Sequence, residues 1–290
     1  MIKIYFAPNW GLTSEQMVSD YIKQTPNNTG IWNDITYTLN VNEADYLIIQ
    51  DSCDQHLLNM FEPNQRLYFS REALTPNVIQ HYPKESVVRN SFWDGSGILW
   101  TKWWYPNKSN GGINLTYDHL RKEKIIKKNK ILSCIQSDKS QSLGHIARKK
   151  FLKSFVKKYP KLLDLYGGIS FSNRNLLNNQ KTFGLDDYKY CLAFDNQNYI
   201  TSFFGTQFTD SLLRWCVPIY WGGAKLSNFF PEDAYIQIDI YSSHAAEQLV
   251  SILEKDKYED RLEAISIARN QILEKYNMWP VIEKVIEENK

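Results

Sequence analysis

Short apolar runs separated by helix-like or polar spacers recur along the 290-residue chain, and the series restarts after a lysine-rich stretch at 122–130. Strands spaced this way suit a parallel sheet, because parallel neighbours need a long crossover between them. In the first series Ile2–Ala7 reads as a strand, broken by Pro8, Asn9, Trp10 and Gly11. Ser14–Lys23 follows as a helix with Met17, Val18, Tyr21 and Ile22 inward, and Asp45–Gln50 and Arg66–Ser70 read as buried strands. In the second series Ile131–Ile135, Leu165–Gly168, Tyr188–Phe194, Val217–Trp221 and Tyr235–Ile240 are the strand candidates. His145–Tyr159, with Ile146, Phe151, Phe155 and Val156 on its apolar face, is a helix, as are Thr209–Trp215, His244–Glu254 and Tyr258–Tyr276. A short amphipathic helix, Trp279–Glu288, closes the chain.

Two such series in one chain predict an α/β architecture of two Rossmann-like domains facing across a cleft. The boundary falls in the charged stretch, giving domains at 1–125 and 126–290, with the last helix expected to pack back on the first domain. Residues 88–115 carry Trp93, Trp100, Trp103 and Trp104 and are expected to form a sheet edge leading into the interdomain region. With 43% hydrophobic residues there is ample material for two cores, which excludes global disorder.

The formal charge of +2 is too balanced to argue for nucleic acid. Positive charge is nonetheless clustered at 121–130 and 148–161. A solvated helix face is the favoured reading there; a diphosphate or an anionic membrane surface is the sharper one. Cys53, Cys134, Cys191 and Cys216 form no C-x-x-C pair, and the last three sit in apolar runs, as buried thiols of a reducing compartment do. The five histidines show no metal-ligand spacing. The first residues alternate like a strand rather than a signal peptide, and no apolar run is long enough to span a bilayer. The expected location is cytoplasmic, with peripheral contact at the inner face of the membrane left open. Neither a G-x-G-x-x-G, a phosphate-binding P-loop, nor a G-x-S-x-G elbow occurs, which weighs against dehydrogenases, P-loop hydrolases and serine hydrolases.

Ligands of open parallel sheets bind beyond the strands' C-terminal ends, and that rule sorts the polar residues. Glu72, just past Arg66–Ser70, is placed to take a proton from an acceptor hydroxyl; a surface or capping glutamate is the alternative. Arg148, near the start of the helix after Ile131–Ile135, offers a fork for phosphate oxygens, unless it is a plain solvated arginine. Lys149, Lys150 and Lys153 compete for that role. Asp195 and Asn196 follow a strand and suit sugar or ribose hydroxyls, or cap their own turn. Gly222 and Gly223 permit close approach of a nucleotide, or simply a tight turn.

Tyr190-Cys191-Leu192-Ala193-Phe194-Asp195-Asn196, then Cys216-Val217-Pro218-Ile219-Tyr220-Trp221-Gly222, then Phe229-Phe230-Pro231 and Tyr235-Ile236-Gln237-Ile238-Asp239, resemble the C-terminal domain of family 10 glycosyltransferases. The resemblance is clearest over 130–242 and fainter over 1–125. It implies a GT-B arrangement and an inverting, metal-independent transfer, with no cofactor beyond the donor. A GDP-sugar is that donor, GDP-fucose the leading candidate, and a glycan or lipid-linked oligosaccharide, such as a lipopolysaccharide precursor, is the acceptor. It also implies Glu72 as the acceptor-activating acid, with Arg71 as the alternative should the spacing shift by one, and Arg148 as the phosphate-binding arginine. Asp195 stands in for the family's glutamate.

One departure bears on chemistry. The family carries a Glu-Lys pair upstream of the Val-Pro strand, the first facing the donor sugar and the second the diphosphate. Counting back from Pro218 places Thr206 and Gln207 there, and aligning on Tyr199-Ile200-Thr201 places Ser202 and Phe203. Neither restores the charges, and a lost cation weakens stabilisation of the leaving diphosphate. Three readings remain: compensation by Gln207 and neighbouring lysines, a donor other than GDP-fucose, or binding of a carbohydrate or nucleotide sugar without transfer.

Overall fold

The computed structural model describes residues 1–9, 11–50, 52–69, 115–174, 181–199 and 203–289. Among them are two five-stranded sheets. The first holds β1 (Ile2–Phe6), β2 (Ile31–Trp32), β3 (Ile35–Tyr37), β4 (Tyr46–Gln50) and β5 (Arg66–Phe69) in the order β2-β3-β1-β4-β5. Only the β2–β3 pair is antiparallel. The second holds β6 (Lys130–Ile135), β7 (Asp164–Tyr166), β8 (Tyr188–Phe194), β9 (Val217–Trp221) and β10 (Ile236–Gln237) in the order β10-β9-β8-β6-β7, all parallel.

Both sheets grow outward from an inner first strand, to one side and then to the other. Strand order therefore reverses between β1 and β4 and between β6 and β8, and at each reversal the connections diverge to leave a crevice. In the first sheet that crevice is closed by its own polar groups. Asn9 donates from Nδ2 to the Gln50 carbonyl, the Ser52 hydroxyl donates to Asn9 Oδ1 at 3.2 Å, and the buried Gln50 amide pairs with the Tyr21 hydroxyl.

The strands are apolar on both sides because both faces are covered. In β4, Leu47 and Ile49 pack with Ala7, Phe61 and Tyr68, whereas Ile48 points to the opposite core with Phe6 and Tyr21. That is the two-residue period of a strand, doubled by burial of both faces.

The helices among the described residues are α1 (Ser14–Tyr21), α2 (Gln55–Leu58), α3 (Tyr117–Lys122), α4 (Leu143–Lys158), α5 (Thr206–Leu213), α6 (Ala245–Lys255), α7 (Leu262–Glu274) and α8 (Met278–Glu288). Thr13 opens α1 with a reciprocal capping box, its hydroxyl accepting from the Gln16 amide while Gln16 Oε1 accepts from the Thr13 amide. Several expected boundaries differ, among them three near the second sheet. α5 begins at Thr206 rather than Thr209, α4 begins at Leu143 behind the Ser142 cap, and the expected strand Tyr235–Ile240 contracts to Ile236–Gln237.

The inward face of α4 also differs from the expected one. His145, Arg148, Leu152 and Phe155 are buried, whereas Ile146 is 52% exposed. The stripe keeps its helical three-and-four spacing, but its first two members are polar, so an apolar-only pattern points to the wrong residue.

α8 leaves the second half and lies against the first. Trp279 is fully buried, its Nε1 donates to the Tyr21 carbonyl at 2.8 Å, and its ring meets Phe6 edge-on. Asn277 donates to the Gln24 carbonyl at 2.7 Å and its Oδ1 caps the Trp279 amide. One hydrophobic cluster consequently runs from Ile4 and Phe6 through Leu192 and Ile219 to Val285, joining the two halves. The basic clusters divide by role. Lys150, Lys153 and Lys157 are exposed, whereas Lys128 donates to the carbonyls of Leu185, Asp186 and Arg214.

Candidate functional site

Several of the expected residues meet at the crevice between β6 and β8. Gln136 follows β6 directly, and Asp195, Asn196 and Gln197 follow β8. Arg148 reaches the same point from the second turn of α4, because the first turn of that helix lies on the 195–197 segment. Ser142 donates to the Asn196 carbonyl at 2.8 Å, and a Cβ on Gly144 would sit 2.2 Å from that carbonyl oxygen. Any side chain at 144 would lift the helix away from the loop.

Arg148 is buried. Its Nη1 donates to the Phe194 carbonyl at 3.0 Å. With the Gln136 amide turned so that its oxygen faces the guanidinium, Oε1 accepts from Nη2 at 2.8 Å and from Nε at 2.9 Å. The fork thus rests on protein acceptors. His145, one turn before Arg148, stays neutral. Burial, then the Arg148 and Lys139 charges, lower its pKa to about 4, and its Nδ1 lies 2.7 Å from the Ser142 hydroxyl.

Asp195 is a structural tie as much as a ligand candidate. Its Oδ1 accepts from the Gly205 amide at 2.9 Å and its Oδ2 from the Tyr220 hydroxyl at 2.6 Å. Burial first, then the Asp195 charge, push the Tyr220 phenol far above its ordinary range, so it remains a donor. Gly222 bends around this pair, since a Cβ there would lie 2.1 Å from the Tyr220 oxygen. Gly223, next in the chain, is half-buried.

α5 brings the residues counted to the missing Glu-Lys pair. Thr206 is exposed at its first position, and Gln207 turns inward and donates from Nε2 to the Ile135 carbonyl at the end of β6. Gln207 Oε1 and Asn196 Oδ1 are buried acceptors without a hydrogen-bond partner. An ammonium does stand here. Lys181 Nζ lies 2.6 Å from Asp210 Oδ2 and 3.3 Å from the Thr206 hydroxyl. It sits in a 3-10 segment ahead of β8, remote in sequence from the family motif, and only the fold brings it to α5. Gln136, Gly144 and Tyr220 likewise border the candidate site without having been singled out, although the glycine at the head of the helix after β6 was a signal.

Glu72 and the four tryptophans at 93, 100, 103 and 104 lie outside the described residues. Among the described residues no group of three or more His, Cys, Asp or Glu side chains is disposed to hold a metal, and no helix is long and apolar enough to cross a membrane. Burial raises the thiol pKa of Cys134, Cys191 and Cys216, so these are inert packing groups.

Residues 125–262 match the family model "Glycosyltransferase family 10 (fucosyltransferase) C-term". An α1,3-fucosyltransferase crystal structure is similar over 90% of this chain and 80% of its own, at a TM-score of 0.53 and 16% identity. The same kind of enzyme crystallised with GDP aligns over 99% and 90% of the two chains at 15% identity and a TM-score of 0.45. A UDP-forming trehalose-phosphate synthase from Burkholderia vietnamiensis aligns over 84% and 71% at 8% identity and a TM-score of 0.47. No curated protein matches the chain in sequence. With two Rossmann-like sheets and this match across the second of them, the chain has a GT-B-like fold whose second half resembles, divergently, the C-terminal domain of family 10 glycosyltransferases.

Proposed function

We propose that the protein transfers a sugar, with inversion, from a nucleotide diphosphate sugar to a hydroxyl of a glycan or lipid-linked acceptor. A GDP-sugar is the favoured donor and GDP-fucose the leading candidate. The observation that carries this reading is the convergence of Arg148, Asn196 and Gln207 on the β6–β8 crevice. Two of its buried acceptors, Asn196 Oδ1 and Gln207 Oε1, lack donors, and ribose and sugar hydroxyls are donors. The diphosphate would exchange with Gln136 at the Arg148 fork.

In the proposed reaction Glu72 removes the acceptor proton, the acceptor oxygen attacks the anomeric carbon, and the bond to the phosphate oxygen breaks. The nucleoside diphosphate leaves with the electron pair. Arg148 offsets its charge, and Lys181, beside Thr206, supplies the ammonium that the Thr206-Gln207 pair lacks.

A panel of GDP- and UDP-sugars followed by calorimetry, with mass measurement of any product over a range of acceptors, tests the reading. Binding of a nucleotide sugar with a matching mass gain is expected; absence of binding across the panel rejects it. Glu72→Gln should retain donor binding and lose most transfer, and near-normal turnover would remove Glu72 from its role. The Thr206-Gln207 departure favours a second reading, a protein that binds the nucleotide sugar without transferring it. Tight binding with no product on any acceptor would select that one.

A further inference from the structure

A second pocket lies away from the β6–β8 crevice, between the α3 end, the segment after it and α7. Its volume is about 450 Å³, and Glu123, Trp215 and Arg269 line it, with Arg121, Lys124 and Ile125 at the same wall. Arg269 is 3% exposed and Trp215 is 6% exposed. The Arg269 guanidinium lies over the Trp215 ring, 4.4 Å from its centre, and Nη2 donates to the Leu120 carbonyl at 2.7 Å. Arg269 Nη1 and Trp215 Nε1 have no hydrogen-bond partner.

Two buried donors without acceptors in one pocket are uncommon, because each has given up water for nothing. The nearby acid does not resolve this. Glu123 Oε1 is held by Arg214 Nη1 at 2.8 Å, and Oε2 approaches Arg269 Nη2 only to 3.6 Å. Arg214 also takes both oxygens of Asp186, at 2.6 and 3.0 Å. Glu123 Oε1 is thus committed to Arg214, Oε2 is buried without a hydrogen-bond partner, and three cations, Arg121, Lys124 and Arg269, line the pocket against this one carboxylate. The complement is an anion with several acceptor oxygens, of which one protonated oxygen can donate to Glu123 Oε2.

We propose that this pocket binds a phosphate group, whose oxygens accept from Arg269 Nη1 and Trp215 Nε1 while Lys124 lies at the rim. Ile125, 53% exposed beside the pocket, adds an apolar edge. Two sources share that chemistry, a soluble phosphate compound and a phospholipid headgroup. The site is separate from the proposed donor crevice, so its failure leaves the transferase reading untouched.

Full-length protein carrying 15N-tryptophan is titrated with inorganic phosphate and, separately, with vesicles containing phosphatidic acid. Trp215→Phe identifies the Trp215 indole resonance by its disappearance. A saturable shift of that resonance is expected with phosphate if the source is soluble, and with the vesicles alone if it is lipid. Arg269→Gln should weaken binding at least about tenfold, as loss of a charge-assisted hydrogen bond does. Trp215→Phe, which keeps an aromatic ring beneath Arg269 but removes the pyrrole half of the indole with its N–H, should weaken it by about threefold or more, read by calorimetry, or by vesicle co-sedimentation for the lipid source. That variant decides the matter should Arg269→Gln fail to fold. A Trp215 resonance that moves in neither titration, or binding unchanged by both substitutions, overturns the proposal.

Discussion

The Tyr220 hydroxyl donates to Asp195 Oδ2 at 2.6 Å while the opposite carboxylate oxygen holds the Gly205 amide at 2.9 Å. One buried acid thereby fastens the ends of β8 and β9 to the start of α5. Tyr220→Phe leaves that carboxylate short of a donor and should cost about 1–3 kcal/mol, measured by urea unfolding. Gly222→Ala should cost at least as much, since its Cβ would also lie 2.7 Å from Asp195 Oδ2. Gly168→Ala, with nothing within 4 Å, is the neutral control.

Arg148→Lys keeps a positive charge and loses the fork. Nucleotide diphosphate affinity by calorimetry should fall about tenfold. Gln136→Ala removes the amide that a phosphate would displace, so affinity should hold or rise even as stability falls. A loss of affinity in Gln136→Ala equal to that in Arg148→Lys would show that phosphate does not bind at this fork.

Lys181→Met tests the substitute cation. Its partner Asp210 is buried, with only 6% of its side chain exposed, so some stability is lost as well. The informative readout is the transfer rate under saturating donor, expected to drop about 10²-fold or more if the ammonium faces the leaving diphosphate. A rate unchanged in a folded variant would confine Lys181 to its ion pair.

His145 sets part of the acid limit. Its ordinary pKa of 6.5 falls to about 4 in the folded chain, so the unfolded chain binds a proton that the folded chain refuses. Stability is therefore full above about 6.5 and declines as pH drops toward about 4. His145→Gln should flatten that limb by on the order of 2 kcal/mol, read from unfolding midpoints at pH 7.5 and about 4.5. An unchanged slope would mean that other groups dominate it.

Trp279→Ala removes a fully buried indole and its bond to the Tyr21 carbonyl. A loss of about 3–5 kcal/mol is expected. Because the cavity opens where the halves meet, protease cleavage between them should accelerate together with the fall in Tm.

Particular elements show what could be read from the chain alone. The strands Val217–Trp221 and Tyr188–Phe194 stand as read, since their uninterrupted apolar runs admit little else. The face of α4 was misread because its buried stripe begins with His145 and Arg148, and polarity patterns treat such residues as solvated. The placement of Arg148, Asn196, Gln207 and Gly222 about the β6–β8 crevice was reachable from strand ends and the family motif. Lys181 was not, because a tertiary contact with Asp210 carries no local signature. Nor could a pattern show that both oxygens of Asp195 are already engaged.

Among the described residues the polypeptide passes between its halves twice, once through the segment after α3 and again where Asn277 grips the Gln24 carbonyl ahead of α8. A body joined at two points turns like a door on a pair of hinges, about the line through both, and resists twisting or sliding in other directions. Any opening of the halves should then follow a single swing, repeated along the same arc each time.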